Sequence, residues 1–197
     1  MQNLKNINKT TLSKDWAILD RINYDYQFKN GNWKRLSRET YNRGNGAAIL
    51  LYNTVKGTVI LTKQFRMPAY ENDNSDGMSI ETCAGAIDNN DNPLETIIRE
   101  TEEEVGYKIS NAKQVLTAYT SPGALTEKMY LFVAEYNDEM KINEAVVKET
   151  AKRFVENEEI EVLELSFSKA IEMIKNEEII DAKTIMLLQY TQINKLL

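Results

Sequence analysis

Three glutamates near the middle of the chain have a spacing that could hold a metal ion. Glu100, Glu103 and Glu104 lie three and four residues apart, and such residues are neighbours on one face of a helix. Like charges at this spacing repel, and the C-terminal end of a helix disfavours anions. A sequence that accepts both costs suggests carboxylates that serve a hard cation such as Mg²⁺. A solvated acidic face is the alternative interpretation, and composition alone does not separate the two.

The composition narrows the chemistry further. The chain contains no histidine, which excludes Ser-His-Asp and Cys-His relays and any zinc site built on histidine. Its single cysteine, Cys83, cannot form an internal disulfide, which predicts a reducing, cytoplasmic location. Catalysis would therefore use carboxylates, lysine, tyrosine, water or a metal held by oxygen atoms.

The length and charge exclude other classes of protein. A chain of 197 residues is long enough for one large domain, or one domain with a small appendage. The formal net charge of −6 argues against general nucleic-acid binding, which needs a basic surface. No run approaches the roughly 18 apolar residues of a membrane span, and the N-terminus lacks the apolar run of a signal peptide. We therefore expect a protein that binds neither nucleic acid nor membrane.

Around the acidic segment, the sequence predicts a mixture of strands and helices. Apolar residues alternate from 16 to 28, Asn30-Gly31 favours a tight turn, and residues 33–41 form a return strand. An isolated hairpin is marginal in water, so this one should pack on something, for instance a second subunit. Gly44-Asn45-Gly46 marks a boundary.

The remainder of the chain predicts one mixed α/β domain. Pro93 suits the first turn of a helix that contains the three glutamates, and Gly106 suits its end. The other predicted elements are a hairpin of strands at 47–52 and 59–65, a polar loop at 71–77, strands at 78–84, 113–120, 128–136 and 160–165, and helices at 167–176 and 181–196.

The acidic segment closely resembles the Nudix hydrolase box. The shared positions are Gly85, Asp91, Arg99-Glu100, Glu103-Glu104 and Gly106, at the box spacing over 22 residues. The chain departs from the family at Asp91, where glutamate is usual, and at Thr101 and Tyr107, where aliphatic residues are usual. Neither Asp91 nor Thr101 is at a position that carries the core metal role in the family.

The resemblance extends over nearly the whole chain to the NudK-type GDP-mannose pyrophosphatases, sisters of the ADP-ribose pyrophosphatases. It rests on the segments Arg43-Gly-Asn-Gly46, Gln64-Phe-Arg66, Glu81-Thr-Cys-Ala-Gly85, Ser121-Pro-Gly123, Thr126-Glu127 and Ile160-Glu-Val-Leu-Glu-Leu165. It implies the Nudix fold, an α/β/α sandwich with a mixed sheet, over residues 44–197. An N-terminal antiparallel β-hairpin or sheet over residues 1–43 would form a homodimer.

The resemblance also implies roles for particular residues. The carbonyl of Ala84 and the carboxylates of Glu100, Glu104 and Glu158 would coordinate Mg²⁺, with Mn²⁺ as an alternative. Glu158, Glu103 and Arg99 would form the catalytic group, with Glu158 or Glu103 as the general base. The residues that would contact the substrate are Trp16, Arg38, Glu39, Arg66, Gly85, Ala86, Glu127 and Lys183.

Several of these residues have plainer interpretations when the resemblance is set aside. Trp16 on a periodic strand is more often a core residue, Arg38 and Glu39 fit an exposed strand pair, and Arg66 fits a surface guanidinium. The stretch from 143 to 154 also departs from the relatives, because it is longer and contains no glycine. This departure predicts a stiffer or longer loop before Glu158 and a shifted substrate preference.

The function that the resemblance implies is Mg²⁺-dependent hydrolysis of the pyrophosphate bond of a nucleotide sugar. GDP-mannose would give GMP and mannose 1-phosphate. Two alternatives stay open: an ADP-ribose pyrophosphatase that forms AMP and ribose 5-phosphate, and a non-catalytic sensor of nucleotide sugars. The three intact glutamates argue against the sensor, because a binding protein does not need them.

Overall fold

The computed structural model describes residues 3–73, 76–88, 91–142 and 159–197. By their internal contacts, the residues form two compact units. The first consists of Met1–Asn45 with Tyr119–Lys128, and the second of Gly46–Ala118 with Met129–Leu197. None of the helices in the described ranges has both the length and the apolar character needed to cross a membrane.

The first unit is built on a three-stranded antiparallel sheet. Its strands are β1 (Leu4–Lys14), β2 (Ile18–Gln27) and β3 (Trp33–Asn42), with β2 in the centre. The predicted turn at Asn30-Gly31 is confirmed and joins β2 to β3. The segment 119–128 joins this unit through backbone hydrogen bonds of Tyr41 with Ala124 and Thr126.

Two predictions for this unit were wrong. The strand predicted from residue 16 begins at Ile18, and Trp16 lies in the bend before it with three-quarters of its surface exposed. The core interpretation of Trp16 is therefore wrong as well. β1 was not predicted, because all of its residues are exposed and it carries no alternation of apolar and polar residues.

The second unit contains a mixed sheet of seven strands among the described residues. The strands are β4 (Asn45–Asn53), β5 (Thr58–Phe65), β6 (Met78–Glu81), β7 (Cys83–Ile87), β8 (Lys113–Tyr119), β9 (Lys128–Glu135) and β10 (Glu161–Ser166). Their order in the sheet is β10-β5-β4-β9-β8, with β6 paired to β5 and β7 paired to β4. β4 lies antiparallel to β5 and parallel to β9.

The predicted sandwich is confirmed, because the two faces of β4 contribute to two different cores. Ala47, Ile49 and Leu51 pack with Ile97 of α2 (Pro93–Glu100). Successive strand residues point to opposite faces, so Ala48 and Leu50 pack on the other side. There they meet residues of α3 (Phe167–Lys175) and α4 (Ala182–Ile193), including Ala170, Leu187 and Leu188. Helices therefore cover both faces of this mixed sheet.

The region between β5 and β7 differs from the prediction. The polar loop expected at 71–77 begins too early, because helix α1 (Met67–Asp73) extends into it. Pro68 is favourable in a first helical turn, and backbone N–H groups of Ala69 and Tyr70 donate to the carbonyl of Arg66. The single strand expected at 78–84 is divided at Thr82 into β6 and β7. The other predicted strands and helices of this unit are confirmed to within a few residues.

Candidate active site

The acidic helix begins and ends where its sequence predicts. Asn92 caps α2, with its side-chain oxygen accepting from the backbone N–H of Leu94 at 2.9 Å, and Pro93 occupies the first turn. Gly106 ends the segment in the left-handed conformation, with φ 71°. Buried Ile97 and Val105 attach the segment to the core. The glutamates are therefore carried on a firmly packed element.

The predicted helical geometry is wrong over the last turn. Residues Thr101–Val105 form a π-helical turn, which inserts extra backbone relative to an α-helix. The hydroxyl of Thr101 donates to the carbonyl of Ile97 at 2.6 Å and so satisfies a buried oxygen at the transition. The three glutamates do not share one set of contacts: Glu100 and Glu104, four residues apart, both approach β7, whereas Glu103 pairs with Arg99.

Glu100 and Glu104 both lie against the backbone of Ala84-Gly85. The backbone N–H of Ala84 donates to Glu104 Oε2 at 3.4 Å. A Cβ atom at position 85 would overlap the carboxylate of Glu100, so only glycine permits this close approach. Two carboxylates thus meet the same short stretch of backbone, Ala84-Gly85.

The electrostatics of these carboxylates favour a cation. Burial raises the pKa of Glu104 to about 7, and the negative charge of Glu100 contributes to that rise, although hydrogen bonds from Cys83 and Ala84 oppose it. Burial also raises the pKa of Glu100, with Arg99 opposing. Buried carboxylates are costly unless a cation or donors compensate them. The two side chains and the Ala84 carbonyl are therefore suitable oxygen ligands for a hard divalent ion.

The remaining predicted ligand and base are less directly placed. Within the described residues, no three acidic or cysteine side chains form a ready metal group by themselves. Glu158 and the glycine-free stretch from 143 to 154 lie outside the described residues. Glu103 is buried, and its carboxylate is engaged by Arg99 at 3.2 Å. Arg99 also contacts Glu100 at 3.1 Å, so this arginine links two of the three glutamates.

A second charged group in the same unit surrounds Glu81. Glu81 Oε1 accepts from Arg66 Nε at 2.9 Å, and Oε2 accepts from Arg66 Nη2 at 3.0 Å and from Lys183 Nζ at 2.6 Å. Lys183 also donates to Asp181 at 2.9 Å. We call these four residues the Glu81 cluster. The predicted phosphate contacts Arg66 and Lys183 are thus brought together.

Glu81 and Asp181 are site residues that the sequence pattern alone does not single out. The one available signal is a charged residue within the strand predicted at 78–84, because a carboxylate that becomes buried there requires a partner. Burial by itself would raise the pKa of Glu81, but hydrogen bonds and charges from Arg66 and Lys183 lower it to about 2. Glu81 is therefore ionised at any ordinary pH.

The predicted substrate residues in the first unit form two separate groups. Trp16 contacts Tyr41, with ring centroids 6.5 Å apart, and the Arg43 guanidinium lies 5.3 Å from the Trp16 ring. Arg43 also pairs with buried Glu127 at 3.2 Å. Arg43 was missed as an individual residue, and it links Trp16 to Glu127.

Arg38 and Glu39 do not pair with each other. Arg38 Nη1 donates to the carbonyl of Ser37 at 2.7 Å, while Glu39 accepts from Arg21 on the neighbouring strand at 2.9 Å. The interpretation of Arg38 and Glu39 as paired with each other is therefore wrong, because adjacent residues of a strand point to opposite faces of the sheet. Both side chains remain exposed. In the second unit, Gly85 is half-buried and Ala86 is exposed.

Comparison with known proteins identifies the class to which this fold and site belong. A family model described as "NUDIX domain" matches residues 42–179, and one described as "GDP-mannose pyrophosphatase NudK N-terminal domain" matches residues 3–41. These matches and the acidic helix define a Nudix hydrolase. The chain belongs to the Nudix family, in the group with a NudK-type N-terminal domain.

Several relatives are similar over nearly their whole length. A protein of Yersinia enterocolitica named "GDP-mannose pyrophosphatase" is 49% identical over 194 residues, which cover 98% of this chain and 97% of the relative. A protein of Pectobacterium atrosepticum with the same name is 48% identical over 184 residues, or 93% of this chain and 91% of the relative. Among solved structures, one titled "Crystal structure of ADP compounds hydrolase" shares the fold, with a TM-score of 0.66 and 17% identity. It covers 98% of this chain and 94% of that chain.

Proposed function

We propose that this protein hydrolyses the pyrophosphate bond of GDP-mannose and releases GMP and mannose 1-phosphate. The observation that carries the proposal is the convergence of Glu100 and Glu104 on the Ala84-Gly85 backbone, in a chain of the Nudix family. Relatives that are 47–49% identical over nearly the whole chain carry the name GDP-mannose pyrophosphatase, which supports the choice of substrate.

Nudix hydrolases generally use divalent metal ions, and we propose Mg²⁺ for this chain, with Mn²⁺ as an alternative. The ligands would be the carboxylates of Glu100, Glu104 and Glu158 and the carbonyl of Ala84. When bound, the ion would neutralise phosphate charge and lower the pKa of a water molecule. Arg99 would hold the acidic helix in order, because its guanidinium already links Glu100 to Glu103.

The reaction adds water across a phosphoanhydride bond. The attacking water forms a new P–O bond, the bridging oxygen leaves with the other phosphate, and a carboxylate removes the proton of the water. We assign that base to Glu158, with Glu103 as the alternative. Glu103 is the weaker candidate, since its carboxylate is buried and paired with Arg99.

The residues that bind the substrate divide between its charged and uncharged parts. Arg66 and Lys183 would stabilise the negative charge that develops on the phosphates. Gly85 and Ala86, in the middle of β7, would lie beside the substrate. For the nucleotide we propose Trp16, Arg38 and Glu39, because the indole of Trp16 is largely exposed and aromatic faces stack on bases. Glu127 would contact the sugar side.

We further propose that the protein is a homodimer formed through residues 1–43 and that residues 44–197 are the hydrolase domain. The support is the exposed strand β1, whose apolar side chains Leu4, Ile7 and Leu12 are each more than a third exposed. A cytoplasmic location is supported by Cys83, a free and buried thiol. We expect neither nucleic acid nor membrane as a partner.

A substrate panel tests this proposal. The purified protein with Mg²⁺ would receive GDP-mannose, GDP-glucose, ADP-ribose, ADP-glucose and UDP-glucose in turn. Alkaline phosphatase in the mixture would release phosphate only from cleaved substrate, and Glu104→Gln would serve as the inactive control. We expect kcat/KM for GDP-mannose to exceed that for ADP-ribose by about 10-fold or more, the discrimination that a few polar contacts supply.

The other outcomes separate the alternatives. Faster cleavage of ADP-ribose than of GDP-mannose would identify an ADP-ribose pyrophosphatase. Binding of GDP-mannose, measured by calorimetry, without cleavage of any member of the panel would identify a sensor.

A further inference from the structure

The two predicted phosphate-binding cations share a single carboxylate oxygen. Glu81 Oε2 accepts from Arg66 Nη2 at 3.0 Å and from Lys183 Nζ at 2.6 Å, while Oε1 accepts from Arg66 Nε at 2.9 Å. The arginine is therefore held at two points, which fixes the plane of its guanidinium. Two positive side chains that would repel each other are kept side by side by the charge between them.

The rigidity of the Glu81 cluster comes from three directions. Arg66 directly follows β5, and its backbone N–H donates to the carbonyl of Gly77 at 2.8 Å. Lys183 lies in the first turn of α4, where Asp181 caps the helix by accepting from the backbone N–H and the hydroxyl of Thr184. The N–H of Thr82, the residue between β6 and β7, donates to Thr184 Oγ1 at 2.8 Å and so joins this helix to the strand region.

The accessibility of the cations is uneven. The side chain of Glu81 is only 5% exposed, that of Lys183 is 13% exposed, and that of Arg66 is 37% exposed. An ammonium has three donors, and within the described residues two of those on Lys183 go to Glu81 and Asp181. The carboxylate is thus hidden behind two cations, one of which presents a third of its surface to solvent.

We propose that Glu81 is a positioning residue for phosphate recognition: it gathers the cations of Arg66 and Lys183 at one point, so that together they bind a diphosphate. This inference rests on the proposed roles of Arg66 and Lys183 in the function above. Glu81 itself does not touch the substrate. Its contribution is to offset the repulsion between the two cations in the free protein, so that they already lie together when the anion binds.

A purely structural role for Glu81 makes a different prediction. If the carboxylate only attached α4 to β6, its loss would lower stability, and any change in anion affinity would be the same with or without Lys183. If it positions the two cations, the effect of its loss on anion affinity must depend on whether Lys183 is present. Residues that act through one another give non-additive effects in a double-mutant cycle.

The test measures the affinity for inorganic pyrophosphate by calorimetry in the presence of Mg²⁺. The variants are Glu81→Gln, Lys183→Met and the double variant, and steady-state kinetics on GDP-mannose are recorded in parallel. Glu164→Gln is the matched control, because Glu164 also pairs with a lysine, Lys56, but lies on β10 outside the proposed site. Each variant is first checked for a cooperative thermal transition.

We expect Glu81→Gln to weaken pyrophosphate binding by about 10-fold or more, the scale of one charge-assisted contact. The double variant should bind within about 3-fold of the weaker single variant, since the two side chains act as a unit. Glu164→Gln should bind like the wild type. The proposal would be overturned if the fold-losses in pyrophosphate affinity of the two single variants multiplied in the double variant. It would also be overturned if Glu81→Gln bound pyrophosphate normally, or if the wild type bound none.

A second variant covers the case in which Glu81→Gln does not fold. Arg66→Lys keeps the positive charge but cannot reach both oxygens of Glu81. It should also lose about 10-fold in pyrophosphate affinity, and unchanged affinity would reject the positioning role. A coupled cycle in a protein that cleaves no nucleotide sugar would support the positioning role while rejecting the proposed function. If the protein cleaves GDP-mannose but the losses in pyrophosphate affinity of the two single variants multiply in the double variant, the proposed function is supported and the positioning role is rejected.

Discussion

Glu104 accepts a long hydrogen bond, 3.4 Å, from the backbone N–H of Ala84, which precedes it by 20 residues. This contact joins the end of the acidic helix to the start of β7. Glu100 reaches the same place from one turn earlier, where Gly85 leaves room for its carboxylate. Two side-chain carboxylates therefore meet the backbone of Ala84-Gly85, and the first two predictions depend on this arrangement.

Replacing Glu104 by glutamine should reduce turnover of GDP-mannose by at least about 100-fold, because it removes one ligand charge with little change in volume. The stability of the fold should not decrease. Burial raises the pKa of Glu104 to about 7, which means that the ionised carboxylate destabilises the folded state, and the neutral glutamine removes that charge. Steady-state kinetics and thermal unfolding near neutral pH check both parts.

Glu102→Gln is the matched control for that variant, because Glu102 lies on the same π-helical turn. It should retain nearly all the turnover. Equal activity of the two variants would mean that the acidic face of this helix is only solvated surface.

Metal binding should depend on pH in a defined direction. The pKa of Glu104 is raised to about 7, so a proton competes with the ion below that pH and is absent above it. Mg²⁺ should therefore raise the Tm of the wild type more at about pH 8 than at about pH 6. In Glu104→Gln this difference should be smaller, because Glu100, whose pKa is also raised by burial, remains as a titrating ligand. Cleavage of GDP-mannose that continues undiminished in EDTA would contradict the assignment of a metal altogether.

The Glu81 cluster should contribute stability that is lost in acid. The pKa of Glu81 is lowered from 4.5 to about 2, so its stabilising effect is fully present above pH 4.5 and disappears as the pH falls through about 2. Glu81→Gln should lower the free energy of unfolding by about 3 kcal/mol near pH 7. Denaturant unfolding should show this gap closing between about pH 4.5 and pH 2. A gap that stays constant with pH would show that the charge of Glu81 is not responsible.

The identity of the general base can be decided by comparing glutamine variants. Glu158→Gln should reduce kcat and kcat/KM together, by more than about 10-fold, if its carboxylate acts only in the transition state. Glu103→Gln should have a smaller effect, since Glu103 is buried and paired with Arg99. Glu159→Gln, beside Glu158 in sequence, is the control. Single-turnover rates measure all three, and a larger loss in Glu103→Gln would move the role to that residue.

The oligomeric state tests the role proposed for residues 1–43. Light scattering after size-exclusion chromatography should give twice the chain mass of 22.7 kDa. The physical reason is that an edge strand with exposed apolar side chains, such as β1, is stabilised when a second chain covers it. A single-chain mass at micromolar concentration would argue against the dimer.

The sequence by itself determined the local elements and the class of the site. Period-two alternation predicted β2, two apolar runs predicted β4 and β5, and a proline and a glycine predicted the two ends of the acidic helix. The spacing of Gly85, Asp91, Arg99-Glu100, Glu103-Glu104 and Gly106 over 22 residues carried the Nudix resemblance. These features depend on residues close together in the sequence, so a local pattern contains them. β1 was not predictable in this way, since all of its side chains are exposed.

The tertiary structure alone decided which distant groups meet. Glu81 and Lys183 are separated by 102 residues, and no local pattern indicates that one oxygen of Glu81 would also hold Arg66. The contacts of Glu103 and Glu104 likewise differ, because Glu104 accepts from the backbone of β7 whereas Glu103 pairs with Arg99. Both features arise because a buried charge must find its partners wherever packing of the sheet and helices brings them. That packing depends on the whole chain. The position of Lys183 in the sequence therefore does not indicate its partners, whereas the fold shows them directly.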